Sequence, residues 1–209
     1  MSKDNLVSKT IQTYNTCAES YFHDHYDISE VRDVIDFFIQ NLKGVEVLDV
    51  GCGPGRDAKY FSSHNLKVIG VDLSDRFLNI ASKNVPSAKF IQMDMSILDF
   101  SENAFDGIWV CASFLHIQKK DAMDTLIGLR RILKPGGLMY VNVEKGTQEK
   151  LLGKEEYKNK PRLISFYTAE EFGKLVKACG LNILKKIVDE DPYGWIKVFA
   201  TKQINSKHL

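Results

Sequence analysis

The run Val47-Leu48-Asp49-Val50-Gly51-Cys52-Gly53-Pro54-Gly55 constrains this chain more than any other feature. A compact apolar run carrying an aspartate leads into three alternating glycines, and a helical pattern begins at once. Glycines omit the Cβ atoms that keep a ligand away from backbone, and they accept positive φ. The helix start that follows offers unpaired N–H groups and the positive end of a dipole. In a doubly wound α/β sheet this kind of turn lies at the carboxyl edge of the strands, where ligands bind.

The neighbouring sequence supplies such a sheet. Short apolar runs at Val45–Val50, Lys67–Val71, Lys89–Gln92, Gly107–Ala112 and Leu138–Val143 read as strands buried on both faces. Helical patterns at Asp57–His64, Ser74–Asn84 and Asp121–Leu133 separate them, and Lys134-Pro135-Gly136-Gly137 turns the last helix into its strand. Residues 4–22 and 29–42 are helical by spacing, with Val31, Val34, Ile35, Phe38 and Leu42 on one stripe. Residues 145–165, rich in Lys, Glu and Gly, read as irregular or partly helical. Thr168-Ala169-Glu170-Glu171 is a capping box for a helix through about Cys179, ended by Gly180. Asn182–Val188 and Trp195–Thr201, joined by a turn-rich segment, form an antiparallel pair.

This organisation predicts one domain over 1–209, with N-terminal helices to 43, a ligand-binding core over 44–144 and a C-terminal helix and strand pair over 145–209. At 209 residues the chain is long enough for one full α/β core. A net charge of +1 gives no general case for a nucleic-acid partner. No apolar stretch reaches the roughly 20 residues of a membrane span. Residues 1–5 lack the apolar core of a signal peptide. Cys17, Cys52, Cys111 and Cys179 are scattered without metal-ligand spacing, so they read as reduced thiols in a cytoplasmic protein with no metal.

Two details narrow the ligand. The dinucleotide fingerprint puts its third glycine three residues after the second, and here that slot holds Arg56 while Gly55 comes early. Asp49, immediately before the turn, repels a pyrophosphate but suits a cationic amino group. Asp72 ends the second strand about 20 residues after Gly51, the spacing of a carboxylate that grips ribose hydroxyls from both oxygens. Ser74 takes the N-cap role beside it.

With these residues the chain resembles the Rossmann-like (class I) S-adenosylmethionine-dependent methyltransferases over roughly residues 45–145. Gln92-Met93-Asp94-Met95, Phe105-Asp106-Gly107-Ile108-Trp109-Val110 and Leu129–Gly137 are similar to the family's segments at its third, fourth and fifth strands. The resemblance implies a mostly parallel seven-stranded sheet in the order 3-2-1-4-5-7-6, strand 7 antiparallel, under an N-terminal helical lid. It implies S-adenosylmethionine (SAM) as cofactor and S-adenosylhomocysteine as product. The expected cofactor contacts are Tyr14, Tyr21, Asp49, Gly51, Cys52, Gly53, Gly55, Arg56, Asp72, Leu73, Asp94, Met95 and Ser113, with Asp94 on the adenine amino group.

The acceptor is less constrained. The fourth strand ends Cys111-Ala112-Ser113-Phe114-Leu115-His116, which departs from the Asn/Asp-Pro-Pro-Tyr/Phe signature of amino-methylating relatives. It also lacks the Pro-Cys pair of cytosine C5 enzymes, so Cys111 reads as a buried thiol. His116 is the expected proton acceptor or orienting group. Lys145, Arg162 and Tyr167 are expected near an anionic substrate. Tyr14, Tyr21, Phe22, His23, His25 and Tyr26 form an aromatic lid. A small molecule methylated on N, O or S by a monomer or homodimer heads the reading; RNA or protein methylation, or a non-catalytic SAM-binding role, stays open beside it.

Overall fold

The computed structural model describes residues 3–204. It opens with α1 (Lys3–His25), a 3-10 turn at Ser29–Val31 and α2 (Arg32–Asn41). There follow β1 (Glu46–Val50), α3 (Arg56–Ser63), β2 (Lys67–Asp72), α4 (Asp75–Asn84), β3 (Lys89–Gln92) and β4 (Phe105–Val110). Next come α5 (Ala122–Ile132), β5 (Leu133–Glu144), β6 (Glu149–Gly153) and β7 (Pro161–Ser165). The chain finishes with α6 (Ala169–Ala178), β8 (Leu181–Val188) and β9 (Trp195–Lys202).

Seven strands form one sheet in the order β3-β2-β1-β4-β5-β9-β8. The first five are parallel, and β9 runs antiparallel between β5 and β8. The expected sixth and seventh strands are therefore β8 and β9, and the expected order is the one observed. Alternation along each strand feeds two apolar layers. Val47 and Trp109 pack with Phe38 of α2 and Phe61 of α3, while Leu48, Ile108 and Val110 pack with Leu126 and Leu129 of α5 and Phe172 of α6. Trp109 stacks on Tyr140 with ring centroids 4.1 Å apart, tying the centre of the sheet. No helix among the described residues is long and apolar enough to cross a membrane.

Local signals held where the backbone dictates them. Ser74 caps α4 by accepting from Phe77 N, and Thr168 with Glu171 closes the capping box of α6. Gly180 adopts φ +84 just past that helix. Two expectations need correction. Lys134-Pro135-Gly136-Gly137 lies inside β5, which pairs with β4 across a register shift between Phe105 and Gly107. Residues 145–165 are not irregular or helical: β6 and β7 pair as a separate antiparallel hairpin. Its stability comes from far away in sequence. Thr10 Oγ1 of α1 accepts from Leu163 N, and Thr13 Oγ1 donates to Pro161 O at 2.8 Å. A strand held by a helix some 150 residues earlier leaves no local pattern to read.

Candidate active site

A cavity opens at the carboxyl ends of β1, β2 and β4 and beyond the end of β3, with α1 across it. Gly51 adopts φ +69, and a Cβ there would lie 2.3 Å from Ser113 Cβ, so the residue must be glycine. Gly53, at φ +53, would meet nothing within 4 Å; its bare backbone borders open space. Gly51 N and Cys52 N both donate to Val71 O at 2.8 and 3.0 Å, which ties the turn to β2. Gly55 does not line the cavity. It begins α3 at φ +85, where a Cβ would press on Ala81 of α4, so its glycine serves helix packing.

Three aspartates stand in spatial order along this edge: Asp94 beyond β3, Asp72 at the end of β2 and Asp49 in β1. Asp94 Oδ1 accepts from Ser96 N at 2.8 Å. Asp72 takes one backbone N–H on each oxygen, Gly53 N at 2.9 Å and Ser74 N at 2.8 Å, so its orientation is fixed while lone pairs remain. Burial raises its pKa against those bonds. Asp49 is 2% exposed, and its Oδ2 has no hydrogen-bond partner among the described residues. Burial pushes its pKa well up, and the neighbouring Asp57 and Asp72 charges add to that. A buried carboxylate with a free oxygen facing a cavity is a site for a cation.

Arg56 is not free to meet a ligand carboxylate with its whole guanidinium. Its Nε and one Nη grip Asp57 at 2.7 and 3.2 Å, and Asp57 also accepts from Trp109 Nε1 at 2.7 Å. Arg56 still lines the cavity, as do Cys52, Leu73, Met95 and Ser113. Ser113 Oγ donates to Val50 O at 2.7 Å, which ties the end of β4 to β1.

His116 sits in a closed hydrogen-bond chain. Leu163 O can only accept, so Nδ1, 2.7 Å away, carries the proton and Nε2 is left as acceptor. Tyr14 Oη donates to that nitrogen at 2.8 Å and accepts in turn from Arg162 Nη1 at 2.9 Å. Burial drives the imidazole pKa down to about 4, with the Arg162 charge acting the same way against the Leu163 bond. Burial likewise pushes the Tyr14 phenol up to about 12. At neutral pH both groups are uncharged, and the basic nitrogen expected to serve catalysis is already occupied.

The three remaining substrate candidates lie outside the cavity lining. Arg162 is 4% exposed on β7, with its guanidinium 3.4 Å from the Tyr157 ring centre; it stands behind Tyr14. Lys145 Nζ donates to Asp189 O and Asp191 O at 2.8 Å each, closing the β8–β9 connection. Tyr167 is a core residue, 2% exposed, against Phe172 and beneath Lys119. Each was placed by chain proximity to a strand end, and side-chain direction decided otherwise.

Several lining residues escaped the sequence reading, among them Val7, Thr10, Ile11, Asp57, Phe77 and Ile117. A signal existed for α1. Val7, Thr10, Ile11, Tyr14, Tyr21 and His25 recur at helical spacing, and all line the cavity. Tyr14 and Tyr21 meet edge-on at 5.7 Å, and both lean on Phe77 of α4. Phe22, His23 and Tyr26 of the expected lid cluster are not in the lining.

The residues present fit SAM. The free oxygen of Asp49 suits its amino cation, the bare turn at Gly53 leaves room beside backbone, and Asp72 and Asp94 keep acceptor capacity for ribose hydroxyls and an adenine amino group. Comparisons with known proteins agree. Residues 47–137 match a family model described as a methyltransferase domain. An uncharacterized methyltransferase of Synechocystis sp. is 33% identical over 136 residues, 64% of this chain and 58% of that protein. A malonyl-[acyl-carrier protein] O-methyltransferase of Enterobacter lignolyticus is 33% identical over 94 residues, 44% of this chain and 36% of that protein. The chain thus covers less than two-thirds of the length of either relative.

Among solved structures, the 1,6-didemethyltoxoflavin-N1-methyltransferase of Burkholderia thailandensis, with 1,6-didemethyltoxoflavin and S-adenosylhomocysteine bound, superposes with a TM-score of 0.70. It is 22% identical, with coverage of 92% of this chain and 88% of that one. The methyltransferase complexed with the Trm112 activator of Haloferax volcanii gives a TM-score of 0.76 at 16% identity, covering 95% and 100% of the two chains. Residues 47–137 thus match a methyltransferase domain, and the seven-stranded order is the fold of the class I, Rossmann-like SAM-dependent methyltransferases.

Proposed function

We propose that the cavity binds SAM and that this protein transfers its methyl group to a small-molecule acceptor. The observation that carries the proposal is Asp49: a buried carboxylate, one oxygen unpartnered, beside a glycine turn whose backbone is bare. Ribose hydroxyls go to Asp72, the adenine amino group to Asp94 with Met95 alongside, and the methionyl amino group to Asp49. When bound, SAM supplies a methyl group already activated on a sulfonium. The protein's tasks are then to orient a nucleophile and keep water out.

The α1 helix performs the exclusion. Tyr14 and Tyr21 cross the cavity, and the Arg162–Tyr14–His116 chain locks α1 to β7 and to the end of β4. His116 thereby acts as a positioning residue for the lid. Enclosure under a helix, together with a net charge of +1, favours a small molecule over a long polyanion. Calorimetric titration with S-adenosylhomocysteine is the direct test. Micromolar binding that is lost in Asp72→Ala supports the proposal, and absence of binding in the wild type removes it.

A further inference from the structure

Two histidines line the cavity, and only one of them has a nitrogen to offer. His116 has both ring nitrogens engaged, as described above. His25, at the last turn of α1, is different. Its Nδ1 lies 3.2 Å from Tyr21 O, one helical turn back, and a carbonyl can only accept. The proton of the neutral ring is therefore on Nδ1, and Nε2 carries a lone pair with no partner among the described residues. Its ring stacks on Tyr21 at 4.1 Å and 12°, and the Tyr157 ring lies nearly parallel at 6.5 Å. The imidazole is held in one tautomer and one orientation by groups that leave Nε2 open.

His25 also lies at the right end of the cavity. Asp94, Asp72 and Asp49 mark a line from β3 through β2 to β1, and the next strand in the sheet is β4. Tyr21 and His25 line the same cavity as Arg56 at the start of α3 and Cys111 just past β4. The part of α1 that carries Tyr21 and His25 thus shares its cavity with Cys111, Ala112 and Ser113, where that line continues. Aromatic side chains wall this region: Tyr14, Tyr21, Phe77 and the His25 ring itself. Such walls receive a flat ring.

We infer that His25 is the general base for a flat aromatic acceptor bearing a hydroxyl group, a role that rests on the methyl-transfer function proposed above. In that step the acceptor O–H bond breaks and its proton moves to His25 Nε2. An oxygen lone pair forms the new bond to the methyl carbon. The sulfur–carbon bond breaks with its electron pair kept on sulfur, giving the neutral thioether, and the imidazolium then loses its proton to water. General-base assistance of this kind is worth on the order of 10²–10⁴ in rate.

The test compares phenol with thiophenol as probe acceptors in the full-length protein. A thiol ionises more readily than a hydroxyl on the same skeleton, so it needs the base less. His25→Phe keeps an aromatic ring on Tyr21 and removes the nitrogen; His25→Ala leaves a space for added imidazole. Expected are a fall of 100-fold or more in kcat with phenol, less than tenfold with thiophenol, and unchanged S-adenosylhomocysteine affinity. Imidazole should restore at least tenfold of the His25→Ala loss with phenol and nothing in His116→Ala. Equal losses on both probes would make His25 structural and overturn the inference, as would a wild-type kcat in His25→Phe. If S-adenosylhomocysteine binds but neither probe is methylated, the aromatic acceptor class falls and the role of His25 with it. If S-adenosylhomocysteine does not bind, the underlying function fails first.

Discussion

The two walls of the cavity are built in opposite ways. The floor comes from strand ends and the turns after them: Asp49, Gly51 and Gly53 at β1, Asp72 at β2 and Asp94 beyond β3, all within 46 residues. The roof combines α1 with Arg162 and Leu163 of β7, about 150 positions later in the chain. On the floor, backbone conformation and single carboxylates do the work, and packing merely supports them. On the roof, hydrogen bonds and ring contacts between distant segments create the surface. A floor of this kind tolerates little substitution, whereas a roof can be retuned without losing the fold.

The largest effect should come from breaking the floor. Gly51→Ala forces a side chain into positive φ and into Ser113 Cβ at 2.3 Å. Backbone strain and overpacking together cost about 2–4 kcal/mol. Thermal unfolding should show the drop, and calorimetry should detect no S-adenosylhomocysteine binding.

Asp49→Asn sharpens the comparison by separating stability from binding. The raised pKa of Asp49 means that its ionised form is costly in the free protein, a cost that grows as pH rises through that pKa. The variant should therefore melt higher at neutral pH than the wild type, yet bind S-adenosylhomocysteine roughly 30-fold or more weakly, equivalent to about 2 kcal/mol. In the wild type, the bound amino cation favours the ionised carboxylate. Affinity should then fall as pH drops below the raised pKa, and Asp49→Asn should lose that pH dependence. Equal melting temperatures and equal affinities for the two proteins would refute the assignment.

On the roof, Arg162→Met removes the donor to Tyr14 while keeping a long side chain. Loss of a buried charge-assisted bond costs about 1.5–3 kcal/mol. Hydrogen exchange should accelerate along α1 and β7 more than in β1 or β4. Uniform acceleration across the sheet would mean that no separable roof exists.

The last effect, confined to acid pH, concerns His116. Its folded pKa of about 4 lies below the ordinary value of 6.5. Between those values the unfolded chain binds a proton that the folded one refuses, so stability falls as pH drops from about 6.5 to 4. The loss is on the order of 3 kcal/mol. His116→Gln should flatten that part of the stability–pH curve measured by urea unfolding; an unchanged slope would show that His116 ionises freely in the folded state.

How legible each wall was follows from its construction. The glycine turn and the strand ends that carry Asp49 and Asp72 have short-range signatures, and the alternation of strands and helices gives the α/β class, whereas the order of the strands rested on the resemblance to the methyltransferase family. The hairpin at β6–β7 did not, since its charged composition resembles a solvated loop until α1 supplies Thr10 and Thr13 as partners. Lys145 and Tyr167 were misplaced for the same reason. Their positions near β5 were readable, but the direction of each side chain depended on Asp189 and Phe172.

His116 marks the boundary between the two kinds of knowledge. The α/β class, the glycine turn and the strand ends bearing Asp49 and Asp72 are legible in the sequence, because they depend on backbone conformation and on periodicities of a few residues. Only the tertiary structure decided which histidine has a free nitrogen. That depends on Leu163, Tyr14 and Arg162 converging on one ring while Tyr21 holds another, and a hydrogen bond between residues a hundred positions apart leaves no trace in local order.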